Sequence, residues 1–330
     1  MTSSRPITEV ASTGRYLPDR VLTNEDWTRM VDTTDQWIVE RTGIHERRIA
    51  GPCTSVCDMG VAAAEQALER AGVSAGDVDL VLVSTATPDR LLPSTACDIQ
   101  ARLGADKAAA MDISAACTGY LYILALAEGY IASGMGEVVL VVSTEKMTSI
   151  MDWEDRSTAV LFGDGAGASV IRPATGDRGI LANDIRSDGK LADLLQRPGG
   201  GARRPFDESV LADRSHLLLM EGREVFKNAV RAMSKSARLA IGQAGWTADD
   251  VDLLIPHQAN IRIIEATARY ARVPMEKVYV NVHRYGNISS ATVPVALDEA
   301  LEKGRIGPGS NVLLVAFGAG LTWGATALRV

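Results

Sequence analysis

Apolar positions in this chain gather into two kinds of segment. Short unbroken runs, "VDLVLVST" from Val78, "GEVVLVVSTE" from Gly136, "VDLLIPHQ" from Val251 and "SNVLLVAFGA" from Ser310, lack alternation and predict strands covered on both faces. Between them lie longer segments of helical character. Tyr120 to Ile131 is apolar nearly all round and predicts a buried helix. Arg223, Lys227, Arg231 and Lys235 recur every four residues, with Arg238 beside them, and predict a helix with one basic face. Strands and helices alternate, which implies an α/β fold of largely buried sheets covered by helices.

The pattern repeats. "ALERAGVSAGDVDLVLVST" (from Ala67) and "LAIGQAGWTADDVDLLIPHQ" (from Leu239) both read as helix, Ala-Gly turn, polar link and buried strand, with Asp77 and Asp250 standing 173 residues apart. The runs from Gly136 and Ser310 match at an offset of 174, and "GASVIR" (from Gly167) resembles "GATALR" (from Gly324). Three matches in the same order predict two related halves, residues 1–175 and 176–330. The Gly-, Pro- and charge-rich stretch "RPGGGARRPFDES" lies in the joint. Aligning Lys107 with Lys277 sets Cys117 on Asn287 and Gly134 on Gly304. A pseudo-twofold packing of the halves then brings the starts of the two helices together.

Composition narrows the class. The chain has 330 residues, 46% of them hydrophobic, with 30 glycines and a net charge of -7. The acidic balance argues against general nucleic-acid binding. No apolar run reaches the roughly 18 to 20 residues of a membrane span, and "MTSSRPITEV" lacks an apolar leader. Four cysteines do not make a disulfide scaffold, which favours the cytoplasm. Cys53 and Cys57 form C-x3-C without a second Cys pair or His nearby, so two semi-buried thiols near a helix start are expected rather than zinc.

Cys117 stands where small residues turn the chain into the buried helix. A helix N-terminus offers free N–H groups and the positive end of the dipole, both favouring the thiolate. His257 directly follows a strand ending at Pro256, where open α/β sheets place ligand sites. His283, in "NVHRYGNISS" with Asn287, is its rival. A thiolate could attack an acyl carbonyl, with imidazole and carboxamide donating to an oxyanion or enolate. No carboxylate belongs to the set, so a charge-relay hydrolase is less natural. A papain-like Cys-His-Asn arrangement lacks its flanking signatures. The glycine loop "FGAGLTWGA" (from Phe317) can aim backbone N–H groups. "FGDGAGASV" (from Phe162) departs from dinucleotide spacing and reads as a tight turn between paired strands "AVLFG" and "ASVIR".

"DQWIVERTGIHERR", "AACTGY", "DRSTAVLFGDGAGA", "MEGREVFKNAV", "PHQANIRI", "YGNISSA" and "FGAGLTWGA", in that order, span nearly the whole chain. In these the chain resembles the β-ketoacyl-acyl carrier protein synthase III family of the thiolase superfamily. The resemblance implies a thiolase-like, duplicated αβαβα layered fold and a homodimer. It implies Cys117 as nucleophile, with His257 and Asn287 completing a triad, and an oxyanion hole from the backbone N–H groups of Cys117 and Ala319. Acyl-CoA would acylate Cys117; malonyl-acyl carrier protein would lose CO2 and attack the acyl-enzyme. No metal or redox cofactor is implied. Trp37 and Arg156 would sandwich the CoA adenine, with Thr33, Gly222, Phe226, Ala259 and Asn260 lining the pantetheine channel. Lys227, on the basic helix face, and Arg262 would meet the acidic carrier protein. Leu92, Tyr120 and Leu321 stand where the family often carries Phe, which leaves branched or longer primers open. A starter-unit synthase or acyltransferase of a polyketide or other secondary pathway fits the same triad, whereas a non-catalytic partner does not explain its retention. A degradative thiolase would need a later cysteine, and none follows Cys117.

Overall fold

The computed structural model describes residues 7–330; residues 1–6 of the segment read above as lacking a leader lie outside them. Two sheets form the frame. The first comprises β1 (Thr8–Tyr16), β2 (Leu80–Ser84), β3 (Ala109–Ile113), β4 (Val139–Lys146) and β5 (Asp164–Pro173), in the order β1-β5-β4-β2-β3. The second comprises β6 (Gly179–Ser187), β7 (Leu253–Pro256), β8 (Asn311–Gly318) and β9 (Thr322–Arg329), in the order β6-β9-β8-β7. Directions match as well: β4 runs parallel to β2 and antiparallel to β5, as β8 does to β7 and β9. The counterpart of β3 is reduced to one parallel bridge, Leu254 to Val278.

Helices α1 (Val56–Ala71), α2 (Thr95–Leu103) and α3 (Gly119–Ala132) belong to the first half; α4 (Gly222–Gln243), α5 (Ile261–Ala271) and α6 (Thr292–Glu302) belong to the second. The unbroken apolar runs divide by alternation. Leu80, Leu82, Val139 and Val141 join Leu253, Ile255, Val312 and Leu314 around α3 and α6. Val81, Val83, Leu140 and Val142 turn the other way, under α1 and α2. Leu254, Leu313 and Val315 do so under α4 and α5. The result is five layers, αβαβα, with α3 and α6 in the middle. Strands β2, β4, β7 and β8 are covered on both faces, which is why their sequences carry no polar alternation.

The repeat needs one correction. Short 3-10 turns precede both central helices, Ala116–Thr118 and Ser289–Ala291. Both enter on a non-glycine residue with positive φ, Ala116 at 45° and Ser289 at 48°. Cys117 therefore corresponds to Ser290, not Asn287. The offset of 170 holds only at the helix C-termini, Gly134 and Gly304, because α6 has 11 residues against 14 in α3. A short helix, Val282–Tyr285, fills the chain before the second turn.

"AVLFG" is also corrected: Ala159–Leu161 is a 3-10 turn, and β5 starts at Asp164 and contains Gly165 and Gly167. Gly167 is needed there because a Cβ would fall 2.8 Å from the Pro294 side chain of α6. Cys57 is buried, but Cys53 is exposed rather than semi-buried, since it precedes α1 in an open loop. Among the described residues no helix is long and apolar enough to cross a membrane.

Candidate active site

Cys117 is positioned by the close approach of three backbones. After β3 the chain kinks at Ala116, and Gly119 opens α3 where a Cβ would lie 1.6 Å from Ser84 Oγ. Gly318, at the end of β8, lies so near that a Cβ would fall 2.7 Å from the Cys117 backbone N. The thiol is buried, and its Sγ donates to Ser289 Oγ at 3.6 Å. Burial pushes the thiol pKa up to about 12; the Ser289 hydroxyl opposes this, and the charge of buried Glu145 adds to it. Burial thus works against the help that the helix N-terminus gives the thiolate. Desolvation of a buried sulfur outweighs a dipole effect of about 1 kcal/mol.

His257 extends β7 by one residue, donating its backbone N–H to Val315 O at 2.7 Å. Burial pulls its pKa down to about 3, so the imidazole is neutral at physiological pH. Its Nδ1 lies 2.6 Å from Thr292 Oγ1, and the same hydroxyl is 3.1 Å from Ser289 O. Thr292 has one proton and two acceptors, so it can serve either imidazole tautomer. Gln258 fixes the loop, donating to Pro256 O and Tyr279 O while accepting from the backbone N–H groups of Asn281 and Val282.

Asn287 is held through its own backbone, donating to Leu161 O at 2.8 Å and accepting from Gly163 N at 3.2 Å. Its Oδ1 accepts from Ser289 N at 2.8 Å, which fixes the amide flip and turns the NH2 end the other way.

Cys117, His257 and Asn287 line one cavity of about 400 Å³, as does Ala319. Ala319 has no left-handed backbone, so a side chain there is unstrained. Gly222, Phe226, Ala259, Asn260 and Trp37 border the same cavity. Asn260 also caps α5, accepting from Arg262 N at 2.9 Å, and donates to Arg41 O. Among the described residues the lining contains no acid and two arginines, Arg41 and Arg197. Thr33, Arg156, Lys227 and Arg262 lie outside it.

Arg156 rests against the Trp37 ring, its Cζ 5.3 Å from the centroid, and donates to Asp32 O at 2.6 Å. A base between two flat groups needs about 7 Å, twice a van der Waals contact. The expected sandwich therefore has no room for a base at this spacing. Arg262 lies 6.0 Å from the Phe226 ring centroid, and Lys227 pairs with Glu224 on the exposed face of α4.

His283 falls outside the cavity, half-buried beside His45, Arg284 and Glu299. Tyr120 and Leu321 are buried away from the cavity, Tyr120 against Ser169, and Leu92 is almost fully exposed. Sequence reasoning missed four residues. Arg41 stacks on Trp37 at 4.4 Å, one helical turn later in "WIVER". Ser289 and Thr292 sit within the noted "GNISSAT". Glu145, a lone charge closing the apolar run "VVLVVSTE", was the readable signal.

Known proteins place this architecture. Residues 111–189 match the family 3-oxoacyl-[acyl-carrier-protein] synthase III, and residues 241–330 match its C-terminal family. The β-ketoacyl-[acyl-carrier-protein] synthase III of Desulfitobacterium hafniense is 49% identical over 97% of both chains. That of Xanthomonas oryzae is 48% identical over 99% of both. Among solved structures, the Aquifex aeolicus 3-oxoacyl-[acyl-carrier-protein] synthase III has a TM-score of 0.91 at 46% identity, covering 98% of this chain and 100% of that one. The priming β-ketosynthase of the R1128 polyketide pathway also reaches 0.91, at 38% identity, covering 100% and 98%. The fold, the order of motifs and these identities over nearly the full length together establish that the chain belongs to the β-ketoacyl-[acyl-carrier-protein] synthase III family.

Proposed function

We propose that this protein joins a short acyl group from acyl-CoA to malonyl-acyl carrier protein, giving 3-oxoacyl-acyl carrier protein and starting fatty acid synthesis. Residues 1–175 supply the nucleophile and residues 176–330 supply His257 and Asn287. In the first half-reaction Cys117 Sγ attacks the thioester carbonyl. The Sγ–C bond forms, the C–S bond to CoA breaks, and the thiol proton leaves on the CoA sulfur by way of the neutral imidazole. The backbone N–H groups of Cys117 and Ala319 hold the oxyanion. In the second, malonyl-carrier protein loses CO2. Its enolate, held by His257 and the Asn287 amide, attacks the acyl-cysteine; the C–S bond to Cys117 breaks, and the leaving sulfur takes a proton from water, replacing the one that left on CoA. Thr292 serves both steps: its hydroxyl turns to Ser289 O when Nε2 must accept and to Nδ1 when Nε2 must donate.

One observation carries this reading: sulfur, neutral imidazole and carboxamide share a cavity without an acid. A charged imidazole would favour the malonyl carboxylate over the enolate; a neutral donor does not. Both half-reactions balance without a metal or redox cofactor. Thr33, Trp37, Arg156, Gly222, Phe226, Ala259 and Asn260 are assigned to CoA, with Arg41 as a further phosphate partner. Lys227 and Arg262 are assigned to the carrier protein, supported by five exposed cations on α4, Arg223, Lys227, Arg231, Lys235 and Arg238, against a net charge of -7.

A homodimer through β3 is supported by the open edge of that strand, with Met111, Leu91 and Leu92 exposed. Free cysteines suit the cytoplasm. The test is mass spectrometry of Cys117 against a panel of acyl-CoAs, followed by malonyl-carrier protein. Acylation and then ketoacyl product is expected. An unlabelled Cys117, or acyl transfer without decarboxylation, overturns the proposal.

A further inference from the structure

Ser289 touches two members of the proposed triad, Cys117 and Asn287, and reaches the third, His257, through Thr292. Its hydroxyl meets Cys117 Sγ at 3.6 Å, and its N–H donates to Asn287 Oδ1 at 2.8 Å. Its carbonyl accepts from Thr292 Oγ1 at 3.1 Å, the hydroxyl that lies 2.6 Å from His257 Nδ1. The residue is 1% exposed, and its φ of 48° is one that glycine adopts freely and serine does not. A serine held there points to a side chain with a task.

The turn is fixed from both halves. Ser290 Oγ donates to Glu145 Oε1 at 2.7 Å and lies 3.2 Å from Ser84 O. Glu145, fully buried at the end of β4, accepts in turn from Ala86 N at 2.9 Å and Thr87 Oγ1 at 2.8 Å. The first half shows what such a turn can do. At the equivalent position Ala116 is bent alike, and the next residue is the nucleophile. In the second half that next residue, Ser290, is tied to Glu145, and the bent residue itself faces the sulfur.

We infer that Ser289 is a further catalytic residue, whose hydroxyl donates a hydrogen bond to the Cys117 sulfur when it carries negative charge. In the resting thiol the S–H donates to Ser289 Oγ. As the thiol proton departs, the hydroxyl turns and donates back, while keeping its own proton. The same bond forms when the sulfur leaves during condensation. The inference rests on Cys117 being the nucleophile.

The test compares wild type, Ser289→Ala and Ser289→Gly. It reads iodoacetamide labelling of Cys117 against pH, single-turnover acylation by acyl-CoA, decarboxylation of malonyl-carrier protein, and thermal unfolding. A hydrogen bond to a charged acceptor implies about ten-fold slower labelling and acylation in Ser289→Ala, and about a ten-fold fall in the ratio of acylation to decarboxylation. Ser289→Gly shows the same labelling loss. It also slows decarboxylation, because the freed backbone loosens Asn287 and Thr292. Should Ser289→Ala fail to fold, Ser289→Gly carries the labelling test, since glycine enters this φ without strain. Wild-type labelling and wild-type ratio in the folded variants overturn the inference alone. A wild-type Cys117 that no acyl-CoA acylates overturns the functional reading beneath it.

Discussion

Gly318→Ala tests how the cysteine is held. The added Cβ would lie 2.7 Å from Cys117 N, 3.2 Å from Cys117 Cβ and 3.2 Å from Thr118 N. Two of these are backbone atoms and the third is anchored directly on backbone, so no flexible side-chain end can yield. Restoring the tightest contact to an ordinary 3.4 Å requires a movement of 0.7 Å. Overpacking of this kind costs about 1–3 kcal/mol of stability. The larger effect falls on rate. A misplacement of about 1 Å costs on the order of 100-fold, so this displacement corresponds to roughly 25-fold in the acylation of Cys117. Because the shift separates Cys117 from the neighbouring loop of Ala319, decarboxylation, which uses His257 and Asn287, suffers less. The assay is single-turnover acylation followed by mass spectrometry, with thermal unfolding in parallel. A Gly318→Ala protein that acylates at the wild-type rate and melts at the wild-type temperature refutes the claim that this backbone contact sets the position of the sulfur.

With the Cys117 thiol pushed up to about 12, iodoacetamide labelling of the free protein rises about ten-fold per pH unit from about pH 7 to beyond about pH 9; a plateau near neutrality contradicts it. At Glu299, burial alone would raise the pKa, but Lys303, Asn281 and Arg284 outweigh it and hold the carboxyl at about 2. A folded pKa below the ordinary 4.5 means that this contribution is full above 4.5 and is lost as pH falls toward 2. Glu299→Gln therefore flattens the acid limb of stability, read as urea midpoints across that range; identical acid limbs in variant and wild type would dismiss the assignment. Lys227→Glu and Arg262→Glu raise KM for malonyl-carrier protein about ten-fold at low salt, with the gap narrowing as salt screens the charges. A salt-independent KM would remove these residues from the docking face.

Much of the frame is legible in the sequence. Strands buried on both faces must be apolar at consecutive positions, so "VVLVV", "LLI" and "VLLV" announced themselves. The duplication showed because both halves solve the same packing problem. His257 and Cys117 stood out because a polar or reactive side chain at the end of a buried strand, or at the mouth of a buried helix, is conspicuous in one dimension. The pairing across the halves was not legible. A helix shortened by three residues and a short helix before the second turn moved the register, and only the matching turns at Ala116 and Ser289 revealed that Cys117 answers to Ser290. Ser289, Thr292 and Glu145 escaped notice for a related reason. A serine or threonine before a helix reads as a cap, and a glutamate after a strand reads as a solvated end.

By itself, then, the chain order determined which segments must be buried and which reactive groups stand at their ends, because burial is written into local composition. Tertiary structure alone decided the state of those groups. The thiol is protonated and the imidazole neutral because the folded chain buries both groups. A hydroxyl 172 residues from the sulfur becomes its partner only when two sheets close around two central helices.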